Sequence, residues 1–168
     1  VSTLKKKGAI FVDEIKDVPV GARVIMSAHG VSLKVKNEAS HRNLDVFDAT
    51  CPLVTKVHAE VKKLSKQGYE IIMIGHSGHP EVEGTMGQLD SEIHLVEDAL
   101  QANKVTVKSP EKLSYVTQTT LSADDTAEII KTLKKRFPSI VGPKVSDICY
   151  ATQNRQDAVK LMSKQVDL

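Results

Sequence analysis

Tryptophan is missing from this 168-residue chain, and tyrosine and phenylalanine occur three times each. The basic clusters Lys5-Lys6-Lys7, Lys62-Lys63 and Lys134-Lys135-Arg136 therefore stand without the interleaved rings of a nucleic-acid surface, and they read as helix ends and solvated faces. A dominant charge is missing as well, since 23 Lys and Arg oppose 21 Asp and Glu. Nucleic acid is excluded as an expected partner. No apolar run comes near a membrane span and no signal-peptide pattern opens the chain, so no membrane association is expected and the expected location is cytoplasmic. Cysteine occurs twice, at Cys51 and Cys149, 98 positions apart, in a compartment that keeps thiols reduced, so no structural disulfide is expected. Neither Cys-x-x-Cys nor His-Glu-x-x-His occurs, which removes the common zinc spacings.

What is present is enough for a core: 40% of the residues are hydrophobic. The runs Ala9–Val12 and Arg23–Ala28 read as strands, divided by a turn around Pro19 and Gly21. Ser32 can cap a helix through about His41. Pro52 suits the first position of a helix whose apolar face is Leu53, Val57, Val61 and Leu64 and which Gly68 closes, so Cys51 falls at its N-cap. Strands follow at Glu70–Ile74, Glu92–Val96 and Leu113–Val116, with a short helix from Asp98 to Lys104 and a helix capped by Ser122 that Pro138 stops. Asp147–Thr152 is expected to pass once more from a short strand into a helix carrying Ala158, Leu161 and Met162. This alternation predicts an α/β fold of parallel sheets flanked by helices. Both ends look cut: Val1 to Lys7 reads as the last turns of a helix ended by Gly8, and Val166-Asp167-Leu168 falls where a helix would hand over to a strand. The chain is expected to be a piece of a longer protein.

Gly75–Gln88 carries the densest chemistry. It places His76, His79, Glu81 and several glycines directly after the buried run Ile71–Ile74, more glycine than a plain strand-to-helix turn requires. His76 alone reads as a polar surface residue, and His94, between apolar neighbours, as structural. Glu83 fits a first-turn glutamate that favours a helix N-terminus. Parallel α/β sheets bind ligands beyond the carboxyl ends of their strands, and His29, Cys51, His79, Glu81, Thr119 and Cys149 all fall at such ends. A thiol at a helix N-cap faces the positive end of the helix dipole, which suits a thiolate ligand. Taken alone, these groups leave three chemistries open: a zinc site, an iron–sulfur cluster held by scattered thiolates, or an anion site of imidazoles and helix N-termini that would take a phosphate-bearing substrate. Glu81, its approach set by Pro80, is the best general-acid candidate.

Five stretches carry a resemblance: Ser27-Ala28-His29-Gly30-Val31-Ser32; Asp48-Ala49-Thr50-Cys51-Pro52 through His58; His79-Pro80-Glu81-Val82-Glu83-Gly84-Thr85-Met86-Gly87-Gln88; Thr117-Gln118-Thr119-Thr120-Leu121-Ser122; and Asp147-Ile148-Cys149-Tyr150-Ala151-Thr152. In this order they closely resemble the motifs of the 4-hydroxy-3-methylbut-2-enyl diphosphate reductase family, the last enzymes of the non-mevalonate isoprenoid pathway. The resemblance implies a three-lobed, pseudo-threefold α/β arrangement around a 4Fe–4S cluster. This chain would supply the end of the first lobe (1–50), a complete middle lobe (51–144) and the start of the third (145–168). It implies that Cys51 and Cys149 are two of the three cluster ligands, the third being absent from this chain. The iron without a cysteine ligand would bind the allylic hydroxyl of the substrate. His29 and His79 would hold the diphosphate, Glu81 would deliver protons to the leaving hydroxyl with Thr119 beside that relay, Thr119 and Thr120 would also bind substrate, and a ferredoxin or flavodoxin would donate electrons. An upstream histidine and a downstream Ser-x-Asn motif of the family also fall outside the chain, so the fragment alone is expected to be inactive. The alternative is a zinc- or phosphate-binding α/β module without redox activity.

Overall fold

A computed structural model describes residues 1–166 of the chain. A short helix, α1 (Ser2–Lys6), opens it and ends at Gly8, which takes a positive φ of 92°. Strands β1 (Arg23–Met26) and β2 (Asp45–Asp48) pair in parallel, joined by helix α2 (Leu33–His41). Ser32 caps α2 as its sequence predicts, its hydroxyl accepting the Val35 N–H. Helix α3 (Pro52–Lys66) then leads into a second sheet, formed by β3 (Glu70–Ile74), β4 (His94–Val96) and β5 (Leu113–Thr117). Its strand order is β4-β3-β5, all parallel. Helices α4 (Pro80–Met86), α5 (Ala99–Lys104) and α6 (Ala123–Arg136) connect and cover it, and α7 (Tyr150–Met162) ends the described chain. The expected parallel α/β architecture is the one found.

The central strand β3 is apolar on both faces because both are covered. Ile71 and Met73 pack with Val57, Val61 and Leu64 of α3 and Val82 of α4. Ile72 and Ile74 point the other way, into a cluster with Ala102 of α5 and Ile129 and Leu133 of α6. The period of two along the strand thus divides the core into two layers. On leaving β3 the chain turns to the α4 layer, and on leaving the adjacent β5 it turns to the α6 layer. This divergence opens a crevice between the carboxyl ends of neighbouring strands, the switch point at which open parallel sheets bind ligands.

Two expected strands are not found. Ala9–Val12 is irregular and open to solvent, with Ile10 88% exposed, because no described segment offers its backbone a pairing partner. Asp147–Cys149 is also irregular. The Asp147 side chain takes the Thr117 N–H, and the outer edge of β5 meets the chain at a single bridge, Ser114 to Val141. Helix α7 forms, yet none of its residues is buried, so Ala158, Leu161 and Met162 face solvent. Of the expected hand-over at Val166–Leu168, Asp167 and Leu168 lie outside the described residues. His94 is structural as read, its Nε2 2.5 Å from the Glu70 carboxylate across the sheet. Among the described residues no helix is long and apolar enough to cross a membrane.

Candidate active site between the two sheets

The carboxyl edges of the two sheets face each other, and this convergence builds the site. His29 follows β1 in one sheet and His79 follows β3 in the other, yet their ring centroids lie 5.4 Å apart with the rings perpendicular. The approach depends on glycine. Gly30 has φ +75°, and a Cβ there would stand 2.7 Å from Cε1 of the buried His58. A Cβ on Gly84 would meet the Gly30 carbonyl oxygen at 3.0 Å. Gln88 fastens the junction, its amide donating to the carbonyls of Val31 (2.8 Å) and Gly84 (2.7 Å).

His79 caps α4 through its Nδ1, which accepts the Glu81 N–H at 3.2 Å. This bond requires the neutral ring to carry its proton on Nε2 and leaves that nitrogen to act as a donor. Glu81 itself is 1% exposed. Its carboxylate spans the switch-point crevice: Oε1 accepts the Thr119 N–H at 2.6 Å and Oε2 accepts the Thr119 hydroxyl at 3.0 Å. The Thr119 carbonyl in turn accepts the Cys149 N–H at 2.7 Å. One threonine therefore joins the buried acid to the segment carrying a free thiol.

Cys51 and Cys149 are both half-buried, both free, and both at N-caps, of α3 and α7, where neither side chain makes a capping hydrogen bond. The Cys51 N–H donates to the Ala28 carbonyl beside His29, which ties the loop after β2 to the loop after β1. Asp48 shapes the turn into Cys51 by accepting the Thr50 N–H and hydroxyl. Its bond from Lys36 and that from the Thr50 hydroxyl hold its pKa down at about 2. Thr120 is exposed, and its hydroxyl accepts from the Gln118 amide. His76 is exposed, with its backbone N–H bonded to Gln118 Oε1. Glu83 lies exposed in the first turn of α4.

Uncommitted thiols at the starts of two helices suit soft-metal ligation, so the donor set fits two ligands of an iron–sulfur cluster. Among the described residues no three His, Cys, Asp or Glu side chains converge as a group that could hold a metal, so any cluster would draw further ligands from elsewhere. Sequence reasoning assigned no role to Lys56, Gln118, Gln88, His58 or Asp147, although the structure places all five around the site. Glutamine and lysine in these stretches carry no spacing signature, and the distant partners that tie them to the site (Asp147 for Lys56, His76 for Gln118, Val31 for Gln88, Thr117 for Asp147) lie 30 to 91 positions away, while His58 sits in the packing under Gly30.

With this geometry in view, comparison with known proteins is decisive. The profile of the LytB protein family matches residues 1–168, the whole chain. The chain belongs to the LytB family. It is similar to the 4-hydroxy-3-methylbut-2-enyl diphosphate reductase of Polaromonas sp. strain JS666, 64% identical over 168 residues, and to that of Azoarcus sp. strain BH72, 61% identical. These alignments cover all of this chain and 50% and 54% of the two relatives. The fold matches the solved E-1-hydroxy-2-methyl-but-2-enyl-4-diphosphate reductase of Plasmodium falciparum with a TM-score of 0.92 and 44% identity, covering 98% of this chain and 52% of that one. A second solved structure, of (E)-4-hydroxy-3-methyl-but-2-enyl diphosphate reductase, gives a TM-score of 0.76 at 29% identity, covering 99% of this chain and 58% of that one. This LytB chain spans about half the length of the curated relatives it matches.

Proposed function

We propose that this chain supplies part of the active site of a reductase that removes the allylic hydroxyl of 4-hydroxy-3-methylbut-2-enyl diphosphate. The overall change is addition of two electrons and two protons: the C–O bond breaks, the hydroxyl leaves as water, and a new C–H bond gives isopentenyl or dimethylallyl diphosphate. Hydroxide is a poor leaving group, so the reaction needs an acid beside the departing oxygen. Glu81 meets that need. Its carboxyl is buried, and the Thr119 hydroxyl on Oε2 can both donate and accept, so the pair can pass a proton into the crevice. His29 and His79 face each other, where imidazole N–H groups suit a diphosphate, and Thr120, the exposed residue after Thr119, adds a hydroxyl for substrate in this proposal.

Cys51 and Cys149 are the residues that would hold a 4Fe–4S cluster, which when bound supplies the electrons delivered by a ferredoxin or flavodoxin. The three-lobe division at 1–50, 51–144 and 145–168 belongs to the same proposal, as do a cytoplasmic setting and the inactivity of this stretch by itself. The observation that carries the reading is the double role of Thr119, which holds the carboxylate of Glu81 and the backbone of Cys149 at once.

The test is visible absorption with iron and sulfide content of the full-length protein that contains this chain, purified without oxygen, alongside Cys51→Ala and Cys149→Ala. A brown protein whose colour and iron are lost in both variants supports the proposal. A colourless protein that carries zinc, or binds pyrophosphate without any metal, establishes the non-redox module instead.

A further inference from the structure

We propose that Lys56 and Asp147 form a positioning pair that sets the spacing between Cys51 and Cys149. The inference deepens the cluster reading above and rests on it. Helix α7 buries none of its residues, so core packing does not decide where its N-cap thiol lies. The irregular stretch before it is held by polar bonds instead. Asp147, with no accessible side-chain surface, accepts Lys56 Nζ on Oδ1 at 2.9 Å and the Thr117 N–H on Oδ2 at 3.2 Å. Lys56 Nζ makes a second bond, to the Val145 carbonyl, also at 2.9 Å.

The paths from this strut to the thiols are short and stiff. Lys56 lies in the second turn of α3, five positions after Cys51, whose carbonyl accepts the Thr55 N–H. Asp147 lies two positions before Cys149, which the Thr119 carbonyl anchors from the other side. An ion pair whose carboxylate alone is buried is a poor device for stability, because the desolvation of that carboxylate offsets much of the attraction. What it does supply is direction: a carboxylate with fixed donors on both oxygens has one arrangement. A rigid cofactor gripped by two thiols needs their separation held to within about half an ångström.

The experiment measures that separation without metal. Spin labels are placed on Cys51 and Cys149 in the metal-free protein, with any further cysteine replaced by serine, and the inter-label distance distribution is read by pulsed electron paramagnetic resonance. The wild type is expected to give a narrow distribution, Lys56→Met and Asp147→Asn one at least twofold broader, and Lys56→Arg a return toward the wild-type width. Circular dichroism identifies any variant that fails to fold. Lys56 is partly exposed, so Lys56→Met decides the matter if Asp147→Asn unfolds. A wild-type width in folded Lys56→Met, or a broad wild-type distribution, overturns the positioning role.

Anaerobic reconstitution of the unlabelled full-length proteins, with every cysteine in place, separates this inference from the reading it rests on. Iron uptake by the wild type with unchanged distances and unchanged cluster spectrum in Lys56→Met defeats the strut alone. Failure of the wild type to take up iron defeats the cluster reading, and the strut, as a device for spacing cluster ligands, falls with it.

Discussion

Gly87→Ala should destabilise this protein even though its backbone would welcome alanine. Gly87 ends α4 at φ −76° and ψ 12°, a conformation open to any residue, and there a Gly→Ala change ordinarily gains about 0.4–1 kcal/mol by restricting the unfolded chain. The packing opposes this. A Cβ on Gly87 would stand 2.3 Å from the Ser32 Cβ, where carbon atoms need about 3.5 Å, so α2 and α4 must part by about 1 Å. Forcing such an overlap costs about 1–3 kcal/mol, and the net expectation is a loss of about 1–2 kcal/mol. Ser32→Gly removes the offending atom and leaves the next contacts at 3.1 Å and 3.2 Å, while giving up only a few tenths of a kcal/mol of helix capping. The double variant should therefore be more stable than the sum of the single effects by about 1 kcal/mol or more. Urea unfolding of the four proteins measures this cycle. Stabilisation by Gly87→Ala, or simple additivity, would refute the packing argument. Because α2 begins just beyond His29 and α4 begins just after His79, Gly87→Ala should also weaken pyrophosphate binding, and Ser32→Gly should restore part of it.

Two further outcomes follow from buried titratable groups. His58 lies 6% exposed with Nε2 unbonded, and burial, reinforced by Lys36 and Lys62, pushes its pKa down from 6.5 to about 4. The fold thus favours the neutral ring. Its contribution is complete above pH 6.5 and is lost as pH falls from 6.5 towards 4, at a cost of about 3 kcal/mol. Unfolding free energies of wild type and His58→Phe measured between pH 7.5 and 4 should diverge across that window, and parallel curves would contradict the assignment. Glu81→Gln preserves shape and can still accept the Thr119 N–H, so stability should change by less than about 1 kcal/mol. In the reconstituted full-length protein that contains this chain, the proposed turnover should nonetheless fall by about two to four orders of magnitude, with pyrophosphate affinity held, because an amide cannot deliver the proton. Equal losses in binding and turnover would make Glu81 a structural residue.

Much of this was legible before any coordinates. The Ser32 and Ser122 caps, Cys51 at an N-cap before Pro52, and the apolar face of α3 are local matters, governed by bonds within a turn or by a period of 3.6 residues, and each appears where its residues predict it. The misreadings have a common cause. Ala9–Val12 and Asp147–Cys149 have strand-like composition, yet a strand exists only where a partner pairs with it, and composition carries no information about partners.

The candidate site divides in the same way. Placing His29, Cys51, His79, Glu81 and Thr119 beyond strand ends required only the βα alternation, since every parallel unit presents its carboxyl end to one edge, whereas Cys149 follows no strand and is held there by its N–H bond to the Thr119 carbonyl. That the edges of two separate sheets meet is a tertiary fact. It depends on the close approach of Gly30 and Gly84 and on the bond from Gln88 to Val31, while the Glu81–Thr119 bridge and Lys56 reaching Asp147 across 91 positions tie further segments to the same place. Residue identity determined which chemistry each strand end could offer, because donors, acids and thiols are properties of single side chains. Only packing between layers determined which of them share a crevice, because distance in space is set by contacts that no local pattern encodes.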